Sequence, residues 1–546
     1  LKRLFNFLVF LLGANITLFP PSLHAFETDT LPTIPPMTES LSTLGQVQVK
    51  AFYFVGNRSF SEEVLQELLS EYTGRAISAE ELQEAKNKIT LHYVNEGYIN
   101  SGAVIPDQQV IDGEITFKII EGELTQVEVT GNEQVKTAYI QSHLEDSGKT
   151  TLNINELQKR LQLMQQNPLF SRINAELAPS LNLGESILNV KVEEASPYQW
   201  GVRFNNHRSP SIGAYRAELE GLHRNLSGWG DSLNVHYGLT RGLNDYALDY
   251  SLPINRYDTT LSFHVGRSDS KVVEETFSQL DVKSLVDSYE IGILQPWHKT
   301  PNTEFNLGLK FDHRSSETSL LGKPFSFSPG VRDGQSTVSV LRFTQEWLER
   351  SRTQVLAVRS SFNTGLHLLN ATINHDGSPD GRFFSWLGQL QWVRRLELLD
   401  SQLLFRGDAQ LSKKELLPLE KFALGGATTV RGYRENQLIR DNGLIASLEW
   451  RIPINNKWHM DSTTSGNPDE GMLQIAPFID YGRAWNTHAD TPDPHFLASA
   501  GVGLRWLPTA KVLAELYWGK ALKSVPSNKD HDLQDNGVHF ELYTQW

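Results

Sequence analysis

Among the residues that could do chemistry, two short segments stand out: Val430-Arg431-Gly432-Tyr433 and Phe478-Ile479-Asp480-Tyr481-Gly482. A guanidinium taken out of water needs a carboxylate and further acceptors, and arginine offers a rigid fork that suits one. Gly432 would let its loop approach a wall closely or take a positive φ, and Tyr433 could pack beside it. Standing alone, Arg431 would read as a solvated loop cation and Asp480 as an ordinary acid. Nothing else in the chain reads as catalytic machinery. There is no phosphate loop and no His-Glu-x-x-His pattern, and the 16 histidines are scattered. With no cysteine at all, thiolate chemistry and disulfides are excluded. A serine hydrolase would find nothing to position its parts. The chain is therefore expected not to be an enzyme, with no catalytic residue, no cofactor and no metal ion.

The 546 residues are too many for one ordinary domain. A formal charge of −14 argues against nucleic acid as a partner, because its binders present basic stripes. The absence of a phosphate loop argues likewise against nucleotide. At the start, Lys2 and Arg3 precede an apolar run from Leu4 to Leu12, and Leu23-His24-Ala25 follows two prolines. That order predicts a secretory signal peptide over residues 1–25, with a core too short to span a bilayer. Residues 26–46, with Pro32, Pro35 and Pro36, read as a linker. No later apolar run reaches spanning length. If the mature chain lies in a membrane it must be a closed barrel, because only helices and barrels satisfy every backbone group there.

Two α/β units are expected next. Val49–Val55 reads as a strand that stops at Gly56-Asn57. Ser61 opens a helix carrying Val64, Leu65, Leu68, Leu69 and Tyr72, closed by Gly74. Ser78 and Glu81 form a capping box for a second helix, whose apolar face is Leu82, Ala85, Ile89 and Tyr93. Short strands near 99–106 and 114–120 complete the unit. Val127–Thr130 leads to a second Gly-Asn at Gly131, 75 residues after the first. Helices near 137–145 and 155–166 and strands near 172–178 and 187–193 follow, so the order is given twice.

After Pro197 helical periodicity gives way to alternation. Val235, Tyr237 and Leu239 alternate with Asn234, His236 and Gly238. Tyr246, Leu248 and Tyr250 alternate with Ala247 and Asp249, and Leu444, Leu448 and Trp450 with Ile445, Ser447, Glu449 and Arg451. Val538, Phe540, Leu542, Thr544 and Trp546 share a face at the end. Strands of about ten residues with one apolar face suit a transmembrane barrel. Residues 196–546 allow roughly 22 residues per strand and loop if there are 16 strands. A soluble β-sandwich alternates too, but the signal peptide, the number of successive strands and the terminal aromatic residue favour the barrel.

These segments resemble a known family. Phe422-Ala423-Leu424-Gly425-Gly426 with Val430–Tyr433 is similar to the signature loop of the Omp85/two-partner-secretion superfamily, and Phe478–Gly482 to its barrel-strand motif. Tyr93–Ile105 with Gly97-Tyr98, then Pro106 and Gln108, resembles a first POTRA domain, and Ile120-Glu121-Gly122 the junction to a second. Asn225-Leu226, Gly228 and Gly230-Asp231 resemble an early barrel turn. Two POTRA units point to the ShlB/FhaC/HecB-like transporters of two-partner secretion (TpsB).

The resemblance implies a mainly β fold: POTRA domains over 47–122 and 123–195, then a transmembrane β-barrel of 16 strands over 196–546. It implies a place in the outer membrane of a Gram-negative bacterium, with the POTRA domains in the periplasm. The implied activity is export of a large TpsA-like exoprotein, a haemolysin or adhesin. The other implied partners are outer-membrane lipid and the barrel assembly machinery. By the same likeness Val430, Arg431, Gly432 and Tyr433 fold back into the lumen, and Arg431 meets Asp480 on a wall that also carries Phe478 and Gly482. The client would pair with an edge strand near Ile99, Ala103, Val104 and Ile105, where Pro106 limits stray pairing. Phe540 and Trp546 would signal barrel assembly. Energy for export would come from client folding outside. Two other functions stay open: an Omp85-type assembly factor for other barrels, and a secreted soluble all-β enzyme or lectin.

Overall fold

The computed structural model describes residues 40–145, 151–454, 471–526 and 532–546. The signal peptide over 1–25 and most of the linker over 26–46 lie outside the described residues. From Ser40 on, the end of that linker is packed onto the first α/β unit. Leu41 is buried in its core, and β1 (Gln46–Gln48) pairs with β3 (Ala76–Ser78).

The first unit continues with β2 (Ala51–Val55), α1 (Glu62–Leu68), α2 (Ala79–Asn95), β4 (Gly102–Val104) and β5 (Glu114–Ile120). In its main sheet β5 is central, parallel to β2 and antiparallel to β4. Period-two alternation aims Phe52 and Phe54 of β2 and Ile115, Phe117 and Ile119 of β5 at the helices. On α2 the predicted face, Leu82, Ala85, Ile89 and Tyr93, is the buried one, and the Ser78–Glu81 capping box is formed. Ser61 precedes α1 but makes no capping bond, and Val64 faces out.

The strand predicted near 99–106 is only three residues long, for a local reason. Proline at 106 has no N–H to give the ladder. The side chain of Gln108 takes over instead, accepting from Thr116 N–H and donating to Thr116 O, both at 2.8 Å.

The second unit has β6 (Glu123–Thr130), α3 (Thr137–Leu144), α4 (Ile154–Gln165), β7 (Phe170–Pro179) and β8 (Glu185–Glu194). β8 is central, parallel to β6 and antiparallel to β7. The repeat holds down to single atoms. Asn57 Nδ2 donates to Phe60 O at 3.0 Å, and Asn132 Nδ2 to Val135 O at 2.8 Å. Gly56 and Gly131 both have positive φ, and a Cβ on either would strike a carbonyl of the central strand, Ile119 O or Val192 O.

Glu121 joins the two units. Its buried carboxylate accepts the N–H groups of Arg58 (2.8 Å) and Ser59 (2.7 Å) and the hydroxyls of Tyr93 (2.9 Å) and, from the second unit, Thr151 (2.5 Å). Burial pushes this carboxyl upward. The hydrogen bonds, led by that of Thr151, outweigh it and hold the group below the usual glutamate range.

Among the described residues, sixteen strands from Tyr198–Asn205 to Val538–Gln545 form a closed antiparallel barrel. The two-residue strand Lys323–Pro324 only folds back on Thr303–Leu320. Val235, Tyr237, Leu239, Tyr246, Leu248, Phe263, Val265, Ile291 and Ile293 are exposed on the outside. Asn205, Glu218, Asp312, Asn363, Gln410 and Asp480 are buried within. An apolar outer belt around a polar interior is what lipid outside and water inside require. The ends meet where Gly201–Asn205 pairs with Glu541–Gln545. Trp200 and Trp546 then exchange two backbone hydrogen bonds of 3.0 Å.

The second unit docks on the barrel rim that carries the turns 225–231, 254–259 and 300–302. Lys136 N–H donates to Gly228 O at 3.0 Å, and its ammonium lies 4.7 Å above the Trp229 ring. His143 Nε2 is 3.0 Å from Asp258 Oδ1, and Gln166 Nε2 donates to Pro301 O at 3.2 Å. The turn at Asn225–Asp231 is thus a socket for the second unit. Its shape is held by Asp231, which accepts from Ser227 N–H, Ser227 Oγ and Tyr250 Oη at 2.8 Å each.

Candidate functional site

The connection between strands Ser401–Ser412 and Asn442–Pro453 turns back into the lumen. It carries its own hairpin, Phe422–Leu424 paired with Leu438–Arg440. Phe422, Leu424, Val430, Tyr433 and Leu438 pack as a small core against Ile445, Ala484 and Leu497 of the wall. Gly482 of the wall motif makes room for this core: a Cβ there would lie 2.3 Å from Leu424 Cδ1 and 2.9 Å from Val430 Cγ2.

Beyond this apolar foot the contacts become ionic. Arg431 Nε and Nη2 donate to Asp480 Oδ2 and Oδ1, both at 2.9 Å, and the Arg431 N–H also reaches Oδ2 at 3.0 Å. Nη1 donates to Glu449 Oε2, and Nη2 to Ser447 Oγ at 3.2 Å. Ser447 Oγ in turn donates to Asp480 Oδ1 at 2.6 Å. The guanidinium lies over the rings of Phe478 and Tyr517, 3.6 and 4.9 Å from their centroids, in the corner that the two rings form by packing edge to face. Glu449 also accepts from Arg451 Nε at 2.7 Å and Tyr517 Oη at 3.1 Å. Arg431 and Arg451 thus balance Asp480 and Glu449. This buried charge is paired and bonded, as burial demands.

The neighbours of Arg431 fix the backbone. Gly432 has φ +88°, and a Cβ on it would lie 2.7 Å from Gly519 O on strand Val512–Ala521. Its N–H donates to His539 Nε2 at 3.3 Å on the last strand. Tyr433 Oη lies 2.8 Å from Ala498 O and 3.0 Å from Lys523 O. The loop touches several strands here without joining any ladder.

The structure therefore brings together Val430, Arg431, Gly432, Tyr433, Phe478, Asp480 and Gly482. Sequence reasoning missed Ser447, Glu449, Tyr517 and His539. A signal existed for the first two: the alternation around Trp450 puts Ser447 and Glu449 on the polar face. The proposed client edge is dispersed. Ile99 sits in a turn, outside any strand and exposed. Ala103 points into the core, Val104 points out, and Ile105 packs on the core from the side. β4 pairs only with β5 among the described strands, but Ala103 N–H is already bonded to Thr90 Oγ1 at 3.1 Å. In the second unit β7, ten residues long and paired on one side among the described strands, offers a longer edge beyond Ile173; at Ser171 and Ile173 the Gln165 side chain occupies it. Phe540 faces outward with its ring 5.5 Å from Phe204, and Trp546 closes the barrel seam.

A closed sixteen-strand barrel with a loop latched into its lumen, preceded by two β-α-α-β-β units, defines an outer-membrane β-barrel of the Omp85 superfamily carrying POTRA domains. Residues 184–506 match the family of haemolysin secretion/activation proteins ShlB/FhaC/HecB, and residues 47–122 match the ShlB-type POTRA domain. The chain belongs to this family of two-partner secretion transporters. It is 22% identical over 425 residues to the heme/hemopexin transporter protein HuxB of Haemophilus influenzae (strain 86-028NP), covering 73% of this chain and 71% of the relative. It is 22% identical over 470 residues to the outer membrane transporter CdiB of Dickeya dadantii, covering 81% and 77%. The solved structure of CdiB from Escherichia coli superposes with a TM-score of 0.70 at 19% identity, over 94% of this chain and 93% of that one.

Proposed function

We propose that the chain captures a TpsA-like partner exoprotein with its two POTRA domains in the periplasm and exports it through the barrel lumen to the cell surface. The observation that supports this best is how the lumen is filled. The loop is held by ionic contacts, of Arg431 with Asp480 and Glu449, of Arg434 with Asp535 and Glu274, and of Glu420 with Arg314 and Arg342, and by a small apolar foot, not by pairing with a barrel strand. Such contacts can be exchanged for those of a passing polypeptide without opening a single barrel ladder. The docked second POTRA domain carries the edge of β7, open beyond Ile173, and β4 adds a shorter one at Val104. An extended client can add a strand to either. Lipid surrounds the outer belt, and Phe540 and Trp546 on the closing strand face the barrel assembly machinery during insertion. A soluble all-β enzyme or lectin leaves that belt unexplained.

The test uses the fragment 40–195, which contains both α/β cores and keeps the buried Leu41. In calorimetry it is expected to bind the N-terminal region of the exoprotein and not the mature remainder. No binding to the N-terminal region would count against capture. Loss of other barrels from the membrane on deleting the gene, with normal exoprotein export, would favour the assembly-factor reading instead.

A further inference from the structure

Arg431 holds the loop to the barrel wall, whereas Arg434, three residues on, is bonded elsewhere. Its Nε and Nη2 donate to the two carboxylate oxygens of Asp535 at 2.5 and 2.7 Å, and Nη1 donates to Glu274 Oε1 at 2.8 Å. The three side chains are largely buried. Neither acid lies on a barrel strand. Glu274 is in the connection between Thr260–Lys271 and Lys283–Lys299, and Asp535 in that between Val512–Ala521 and Val538–Gln545. Both connections lie at the end of the barrel away from the second POTRA domain.

The next residue extends the tie. Glu435 N–H donates to Gln534 Oε1 at 2.9 Å, and Gln534 Nε2 donates to Arg208 O at 2.8 Å, in the connection after the first barrel strand. These connections are also sewn to one another. Val273 N–H bonds Ser211 O at 2.8 Å, Lys271 N–H bonds Gly242 O at 2.7 Å, and Gly242 N–H bonds Ile212 O at 3.0 Å. Asp535 is held in position by a short turn, Leu533–Asn536, with a capping box to Asp532.

We propose that Arg434 is a second positioning residue of the loop, tying its tip to two connections across the far mouth so that the mouth opens only when this fork releases. The purpose of such a lock rests on the export reading, but its operation does not. One guanidinium bridges two carboxylates brought from different connections, and losing either the cation or both acids removes the ionic tie between them. Without that tie no ion pair among the described residues joins the loop tip to these connections, and in Arg434→Ala two poorly hydrated carboxylates are also left without this cation. A lysine keeps the charge but cannot make the planar fork.

The test is ion conductance of the full-length protein in planar lipid bilayers, alongside heat-modifiable migration as the measure of assembly. Arg434→Ala is expected to raise the fraction of time spent open several-fold with assembly unchanged. Glu274→Gln combined with Asp535→Asn should do the same, and Arg434→Lys should fall between wild type and alanine. A purely structural role would not give that graded order. Wild-type conductance in all three variants would overturn the proposal. Should Arg434→Ala fail to assemble, the Gln/Asn pair, which keeps shape but removes the charges and one acceptor of each acid, decides by the same two outcomes. A channel that opens in these variants while the native protein exports nothing would sink the export reading and leave the lock standing.

Discussion

At the scale of single residues, the ionic node around Arg431 makes an asymmetric prediction. Arg431→Ala leaves Asp480 without a hydrogen-bonded cation and Glu449 bonded to Arg451 as its one remaining ion pair among the described residues. Asp480→Ala leaves Arg431 still paired with Glu449. Breaking a buried pair costs on the order of 3–5 kcal/mol locally. That energy holds the loop and not the barrel, whose strands are laddered independently. Both variants should therefore export far less partner while assembling near normally, and Arg431→Ala should be the worse. The swap of Arg431→Asp with Asp480→Arg should recover part of what either single swap loses. The measurement is partner in the medium against heat-modifiable transporter in the membrane. Normal export from both alanine variants would make the node a bystander.

At the scale of elements, the loop works because its backbone comes within contact distance of the wall. Gly432 has both a left-handed φ and a carbonyl 2.7 Å from where a Cβ would sit. Alanine there costs about 1–2 kcal/mol for the backbone alone, before the clash with strand Val512–Ala521. Gly432→Ala should unseat the tip, lower export, and make the loop cleavable by protease in intact membranes. Gly377 is a control with similar φ, +84°, and open space around it. Gly377→Ala should leave export and cleavage as they were. Cleavage of the Gly432 variant at the wild-type rate would show that the loop tolerates displacement.

For the whole molecule, the barrel stands or falls at its seam. Only five ladder pairs join the last strand to the first, against eight between the first and second. The two bonds between Trp200 and Trp546 extend this short seam by one residue at the POTRA end. Deleting Trp546 removes both of them and an interfacial aromatic anchor. The heat-modifiable protein in the outer membrane should fall. Trp546→Ala keeps the backbone bonds and should fall less. Equal, undiminished levels in both would mean that the terminal residue contributes nothing to closure.

Much of this architecture is legible in the sequence because it is written in local periodicity. The apolar face of α2, its Ser78–Glu81 cap, the repeat from Gly56-Asn57 to Gly131-Asn132 and the in–out alternation of the barrel strands all follow from neighbours within a few residues. The loop and wall motifs were legible too, but only as a resemblance, since Arg431 and Asp480 lie 49 residues apart. Tertiary structure decided which charges meet. Strand register sets Ser447 opposite Asp480 and Glu449 opposite Phe478, and a slip of one residue would turn all four away from the lumen. The same holds for Lys136 over Trp229, for Thr151 on Glu121, and for Arg434 with Asp535, 101 residues away. Periodicity decides which face a side chain takes. Only the closed barrel, which brings distant strands and connections round to one another, decides what stands across from it.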